Sequence, residues 1–332
     1  MKSLLPRIAF AVFFYLGLST FAEAQKSIQE IAELNDKKWD KLVKNYRNYG
    51  NSIDQLQGLL NEELLAEENL PNPKKIGVLT MQLWDYSVTT STKAGQVTLY
   101  KKNFLTPEGS NLVADQFLET IFPKFQEQFQ AKGIALLEPS EFITDEEKRK
   151  IYEEGGSRIE ASGLFKTIGT ISDFLIKSDI GEGSVGASGY EFYPVSVKMS
   201  SDFKAAASIG LIAEDLDLDA VLILSVGVSL VRNGRTMVLH EIEAGIVGPI
   251  DDDESKEYKG RIGAGMMNMY RDGLNYSSFI LEVEPFEIAK IDKSSGTIED
   301  WQLEGLDVVS SRMAADLIRG MEKFIALDKS KD

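Results

Sequence analysis

Cysteine is absent from this 332-residue sequence. Its absence excludes disulfides, thiolate catalysis, thiolate metal ligands and a lipid anchor attached through cysteine. Histidine occurs once, at position 240, which excludes a zinc site built from several histidines. After residue 24 the sequence has no apolar run of about 18 residues, so no transmembrane segment is expected in the mature chain.

Positive charge is also scarce. Lysine and arginine total 36 against 52 aspartates and glutamates, which gives a net charge of −16 at pH 7. Loss of residues 1–24 makes the chain more negative still, because more basic than acidic residues lie there. An acidic chain repels the phosphates of nucleic acids. We therefore expect no nucleic-acid partner and a solvated acidic surface.

The first 24 residues have the order of a secretory signal peptide. Lys2 and Arg7 precede an apolar stretch over residues 8–22, and small residues at Ala22 and Ala24 stand before Gln25. The apolar stretch has about 15 residues, fewer than the roughly 20 that span a membrane. We predict cleavage after Ala24 and a periplasmic or secreted protein without a lipid anchor. An exported chain of this size without disulfides is more typical of a bacterial envelope protein than of an animal extracellular protein.

Periodicity divides the remaining chain into an N-terminal helical appendage, residues 25–72, and an α/β domain, residues 73–332, with a Gly/Ser-rich insertion at 155–197. The appendage is predicted as a helical hairpin with a break near residues 49–52. The elements predicted in the domain are strands at 75–84, 134–137, 220–232, 235–247, 258–270 and 274–288, and helices at 107–132, 144–154, 200–216 and 303–327.

This order predicts an α/β (α+β) fold: a mixed sheet with a C-terminal antiparallel meander packed by helices, preceded by the helical hairpin. Asn233-Gly234 is a strong hairpin signal between two apolar strands. Pro123 lies inside the predicted helix 107–132, where we expect a kink or a restart. Thr144 is expected to cap the following helix.

The sequence contains partial matches to a nucleotide motif and to a calcium motif, but neither has the surrounding residues that binding requires. Gly181–Gly186 has the GxGxxG spelling, but it lacks the preceding strand and following helix of a dinucleotide site, so a loop and no cofactor are expected. The alternating carboxylates Asp215–Asp219 open like an EF-hand loop but lack its glycine and its final glutamate. The candidates for a metal site are the carboxylates of an acidic turn, Asp251, Asp252, Asp253 and Glu254.

Paired carboxylates on the second hairpin strand, Glu241 and Glu243, are the catalytic candidates. With a two-residue loop, Val226 faces Glu241 and Leu224 faces Glu243, which places the glutamates on one face about 7 Å apart. Carboxylates at such a separation can serve as acid and base in glycoside hydrolysis. The competing interpretation is that this end of the strand faces solvent or a partner, and one bulge would undo the register.

His240 is predicted to lie on the opposite face from both glutamates. No G-x-S-x-G sequence supplies a serine nucleophile for it. We therefore expect a structural histidine.

Several hydrophobic stretches carry a family resemblance. They are Ile76-Gly77-Val78-Leu79, the helix over 110–130, Ala135-Leu136-Leu137-Glu138, and the stretch from Ile212 to Ile223. In this order they resemble the α/β domain shared by the curli-secretion channel protein and the penicillin-binding-protein activator lipoproteins of bacterial envelopes. The resemblance implies binding or assembly, and it carries over no functional residues. This chain departs from the family in lacking the lipid-anchor cysteine and in its insertion.

Three functions stay open from the sequence. The first is a non-enzymatic binding or assembly module of the cell envelope, with a protein partner or self-association. The second is a carboxylate-based glycoside hydrolase that uses Glu241 and Glu243. The third is a periplasmic small-ligand carrier, with Gly181–Gly189 as a lid.

Overall fold

A computed structural model describes residues 27–42, 72–87, 90–94, 97–101, 105–161, 183–195, 203–232, 234–249, 274–292 and 297–329. Residues 36–42 are also helical. The remaining elements, in chain order, are α1 Ile28–Ala32, β1 Lys75–Asp85, β2 Thr90–Ala94, β3 Val97–Lys101, α2 Pro107–Ala131, β4 Ala135–Leu137, α3 Pro139–Phe142, α4 Glu146–Ala161, β5 Val185–Gly186, α5 Phe203–Asp215, β6 Ala220–Val231, β7 Thr236–Gly248, β8 Leu274–Ile291, β9 Ile298–Glu299 and α6 Leu306–Lys329.

A mixed sheet is the centre of the fold. Its strand order is β4-β1-β6-β7-β8-β9, and β5 pairs with the free part of the β1 edge beyond β4. Strands β4, β1 and β6 are parallel, whereas β6, β7 and β8 form an antiparallel meander. The α/β class and the C-terminal meander predicted from the sequence are therefore confirmed. Strands β2 and β3 form a separate two-stranded antiparallel sheet.

Helices cover both faces of the sheet. On one face, which we call the α2/α6 face, Phe117 and Phe125 of α2 and Met313 of α6 pack in one core with Leu222 and Val226 of β6. The opposite, α5 face has a smaller core. There Ile209 and Ile212 of α5 pack with Tyr152 of α4 and with Val221 and Ile223 of β6. Alternation along β6 thus feeds both layers, as expected for a strand buried on both faces.

Two sequence expectations about helices concern Pro123 and Thr144. Helix α2 runs from Pro107 to Ala131 as one helix through Pro123, which contradicts a restart there, while the alternative of a kink stays a prediction. The buried phenylalanine face of α2 holds the helix together across the missing N–H. Helix α4 is capped by Asp145, whose Oδ1 accepts from Lys148 N at 2.9 Å, and not by Thr144. It also continues to Ala161, seven residues into the predicted insertion.

The first described residues pack tightly on the domain. Ser27 and Glu30 form a capping box at the start of α1, and Ile28 and Ile31 are buried. The start of the appendage is therefore helical, but it consists of two short helices, α1 and residues 36–42, where the sequence had predicted one. Helix α1 lies against α6.

Trp39 anchors this N-terminal segment. Its Nε1 donates to the buried Asp316 Oδ2 at 2.7 Å, and its ring stacks on Phe279 of β8. The guanidinium of Arg312 lies 4.4 Å above the ring and donates to Asp36 and to the Leu34 carbonyl. Residues 27–42 therefore bind the C-terminal helix through apolar, cation–π and charged contacts together.

Several predictions fall outside the described residues. These are the signal peptide, residues 43–71 of the appendage, residues 162–182 and 196–197 of the insertion, the acidic turn Asp251–Glu254 and the strand predicted over 258–270. In the described part of the chain, no helix combines the length and apolar character needed to cross a membrane.

Candidate functional site

The hairpin of β6 and β7 differs from its predicted register at one point. Near the loop the prediction holds, because Leu230 pairs with Met237 and Val228 with Leu239. The next pair is Gly227 with Glu241, so His240 is an extra residue on β7. A bulge of this kind shifts every later pair by one position. The register of β7 with β8 also shifts at the same residue.

The shift changes the neighbours of both candidate glutamates. Glu241 pairs with Gly227 rather than Val226, and Glu243 pairs with Ser225 rather than Leu224. The expected apolar neighbours were therefore wrong. The two glutamates do share a face, as predicted, and it is the α5 face, because Ser225 and Gly227 alternate with the β6 residues of the α2/α6 core.

Tyr86, the residue after β1, lies above Gly227. Its hydroxyl donates to Glu241 Oε1 at 2.5 Å. A Cβ at Gly227 would lie 2.5 Å from Tyr86 Cε2 and 2.9 Å from Glu241 Cγ, both too close for a real contact. Because Gly227 has no side chain, Tyr86 can extend across β6 and reach Glu241 on β7.

Glu243 lies deeper in the same face. Its residue is 1% exposed and Glu241 is 6% exposed. The neighbouring Gln82 of β1 bridges Ser225 and the Val195 carbonyl through its Nε2. Burial of both carboxylates leaves little of their surface for a substrate, which weakens the catalytic interpretation. It also contradicts the alternative in which this end of the strand faces solvent.

The unbroken register had predicted that His240 lies on the face opposite to the glutamates, and this prediction was wrong. The bulge turns it toward Ser229, with 2.7 Å between His240 Nε2 and Ser229 Oγ, and the Tyr86 ring meets the imidazole edge to face. Burial lowers the pKa of His240 below its usual range, and the charge of Glu241 opposes this effect. A neutral imidazole near pH 7 follows, which suits a hydrogen bond to a hydroxyl.

These groups lie where open α/β sheets bind ligands. The chain leaves β1 for β4 through α2 on one face and later reaches β6 through α5 on the other. The carboxyl ends of β1 and β6 therefore form a topological switch point. Tyr86 stands at this end of β1, beside Gly227 and Ser229 of β6.

The β2–β3 hairpin leaves the sheet at the same place. Asp85, the last residue of β1, accepts hydrogen bonds from Ser87 N through Oδ1 and from Leu105 N through Oδ2, both at 2.9 Å. Ser87 precedes the hairpin and Leu105 follows it. The bonds to Asp85 therefore join the two ends of the hairpin segment, and we call residues 85–87 and 105 the neck.

Sequence reasoning missed the neck, Tyr86 and Gly227. The only available signals were an aspartate at the end of a buried strand and a glycine inside an apolar one. The sequence did show β-prone residues at Val97–Tyr100 but gave no pairing partner for them. Among the described residues no group of three or more acidic or histidine side chains is placed to hold a metal ion. The candidates Asp251–Glu254 lie outside those residues.

Comparison with known proteins adds no relative: the chain matches no family model, and no curated protein or solved structure is significantly similar to it. The resemblance to the curli-secretion and penicillin-binding-protein activator families therefore stays a prediction.

Proposed function

We propose that this protein is an exported, non-enzymatic binding or assembly module of the bacterial cell envelope. Export is inferred from the signal-peptide pattern of residues 1–24, with a mature chain from Gln25. The partner is another protein or a further copy of the chain. The large acidic excess favours a protein partner over nucleic acid.

The separate β2–β3 hairpin is the observation that carries the proposal. Its strands make five consecutive pairs with each other, and within the described residues neither strand pairs with the main sheet. An isolated two-stranded hairpin is only marginally stable in water. Its outer edges offer backbone N–H and C=O groups to an added strand, which is a common mode of protein recognition.

The competing functions have weaker support. A hydrolase needs Glu241 and Glu243 to reach a substrate, and both are buried. A ligand carrier needs a movable lid near Gly181–Gly189. The described residues within and just beyond this stretch are instead fixed to β1: Ala187 N donates to the Met81 carbonyl, and Thr80 donates to the Glu191 carbonyl at 2.7 Å.

Light scattering after size-exclusion chromatography tests the assembly proposal on the mature chain. We expect the mature chain to self-associate or to retain an envelope protein. This association should be lost when residues 90–101 are replaced by a Gly-Ser linker of equal length. A matched control replaces the exposed apolar residues Leu112 and Val308 with serine. A strictly monomeric protein with no hairpin-dependent partner would contradict the proposal.

Cell fractionation with intact-mass measurement tests export separately. The protein should leave the cytoplasm and lack residues 1–24, whereas a variant without residues 2–24 should stay in the cytoplasm. Export would be contradicted if the wild-type protein were found in the cytoplasm with residues 1–24 still attached.

For the hydrolase alternative, Glu241→Gln is compared with wild type on a panel of glycosides. Turnover that disappears in the variant would restore that alternative.

A further inference from the structure

We infer that Asp85 is the positioning residue that holds the neck closed and so fixes the direction in which the β2–β3 hairpin leaves the domain. The inference rests on the proposed function, because it explains how the interaction element is presented. It concerns a residue that belongs to none of the sites suggested by the sequence.

The contacts of Asp85 support this role. The residue is 0% exposed, and each carboxylate oxygen accepts from a different chain end, Ser87 N and Leu105 N. Hydrogen bonds between a carboxylate and backbone N–H groups are among the stronger ones in proteins. A single side chain thus closes the loop that contains both hairpin strands.

Neighbouring bonds fix the neck to the sheet. Tyr86 N donates to the Val228 carbonyl at 2.7 Å, and Leu230 N donates to Ser87 Oγ at 2.7 Å. On the exit side, the Leu105 side chain packs in the α2/α6 core, and Leu105 N donates to Asp85. The carboxylate therefore joins the entry strand directly to Leu105, which lies just before α2.

A second chain segment packs against the same carboxylate. Asp85 N donates to Ser184 Oγ at 3.0 Å, and a Cβ at Gly183 would lie only 2.5 Å from Asp85 Oδ2. A methyl group there would displace the carboxylate without removing its charge. Gly183→Ala is therefore an independent way to open the neck from the other side.

Native-state trypsin cleavage in the hairpin measures neck opening directly. Lys93 of β2 and Lys101 of β3 provide the cleavage sites, read by mass spectrometry on the mature protein. Asp85→Asn keeps one acceptor oxygen and places an amide against the other N–H. We expect hairpin cleavage, normalised to cleavage at Lys132 and Lys290 in the body, to rise about tenfold or more in this variant. The normalised hairpin cleavage of the Gly183→Ala variant should rise by a similar factor.

Asp219→Asn is the matched control. Asp219 Oδ2 also accepts two backbone N–H groups, from Lys74 and Lys75, but at the opposite end of β1. Its loss should leave the normalised hairpin cleavage at the wild-type value. Equal cleavage in wild type and Asp85→Asn, or an equal rise in Asp219→Asn, would overturn the inference.

A disulfide across the neck covers the case in which Asp85→Asn weakens the whole domain. Because the natural chain has no cysteine, Ser87→Cys with Leu105→Cys can form only this bond within one chain, and non-reducing electrophoresis separates it from disulfides between chains. In the Asp85→Asn background, the oxidised protein should return to slow hairpin cleavage and the reduced protein should not. Fast cleavage in the oxidised form would reject the neck as the controlling element.

The two proposals fail in different ways. If replacing the hairpin leaves association unchanged, the proposed function is wrong, and the cleavage result still stands. If the neck variants do not change cleavage, the role of Asp85 is wrong, and hairpin-dependent association still stands. If both proposals hold, Asp85→Asn weakens association in step with the rise in cleavage.

Discussion

The Tyr86 hydroxyl donates to Glu241 Oε1 across Gly227, joining the end of β1 to β7 over the intervening strand. Three features meet in this contact: a glycine on β6, a bulge at His240 and an aromatic residue just past a strand end. The contact makes Glu241 part of the sheet's internal polar packing.

Tyr86→Phe should lower the free energy of unfolding by about 1–3 kcal/mol, because it removes one donor to a buried carboxylate. Urea denaturation of the mature protein measures the change. Tyr190→Phe is the matched control. Tyr190 OH is buried, and it has no hydrogen-bond partner within the described residues. Its removal should be neutral or stabilising, so an equal loss in both variants would contradict a specific Tyr86–Glu241 bond.

Gly227→Ala should cost about 1–3 kcal/mol, because its methyl group overlaps the Tyr86 ring and Glu241 Cγ. The same methyl group should cost much less where the ring is absent. In a double-mutant cycle with Tyr86→Ala, we therefore expect the double variant to lose less stability than the two single losses added together. Strict additivity would show that the Tyr86 ring does not set the cost.

Acid should destabilise the wild type partly through His240. Burial lowers the pKa of His240 in the folded state below the ordinary value of 6.5. The unfolded chain therefore binds a proton first as the pH falls. The stability linked to His240 is complete above pH 6.5 and is lost as the pH drops through 6.5 toward the folded-state pKa.

His240→Gln tests this linkage, since glutamine keeps a polar group near Ser229 without titrating. Urea denaturation from pH 8 to pH 5 should show the stability difference between wild type and variant shifting in favour of the variant as the pH falls. Both proteins contain the same titrating carboxylates, so their contribution cancels in the difference between the two free energies of unfolding. A constant difference over the range would exclude His240 as an acid-sensitive group.

Trp39→Phe should lower the free energy of unfolding by about 1–3 kcal/mol. It removes the Nε1 donor to buried Asp316 and keeps an aromatic ring beside Phe279. Trp39→Ala should cost more, about 3–5 kcal/mol, because the packing is lost as well. Lys38→Ala, at an exposed neighbour, serves as the control and should stay within about 0.5 kcal/mol of wild type. Unchanged stability in Trp39→Phe would show that residues 27–42 do not anchor through the Trp39–Asp316 bond.

Local patterns were sufficient for most elements of the fold. The apolar stretch at Lys75–Asp85, the pair of strands around Asn233-Gly234 and the stripe of α6 each specify their own structure, because periodicity depends on near neighbours. The cap of α4 is a position where local pattern fails, since Thr144 and Asp145 can both accept from the first turn and the structure shows that Asp145 does so.

The candidate site was only partly accessible to sequence reasoning. Glu241 and Glu243 were correctly placed on one face, but their neighbours were wrong because one extra residue at His240 changes the register beyond it. No local signal marks that residue as a bulge. Its position reflects strand pairing on both sides of β7, which involves residues distant in sequence.

The sequence by itself determined the α/β class, the absence of cysteine chemistry, the acidic charge and the order of the main elements. These properties depend on composition and short-range periodicity. Only the tertiary structure decided that Tyr86 reaches Glu241, that Asp85 closes the neck and that Trp39 binds Asp316. Each of these contacts joins residues from different elements, and such contacts exist only once strand order, register and layer packing have brought distant side chains together.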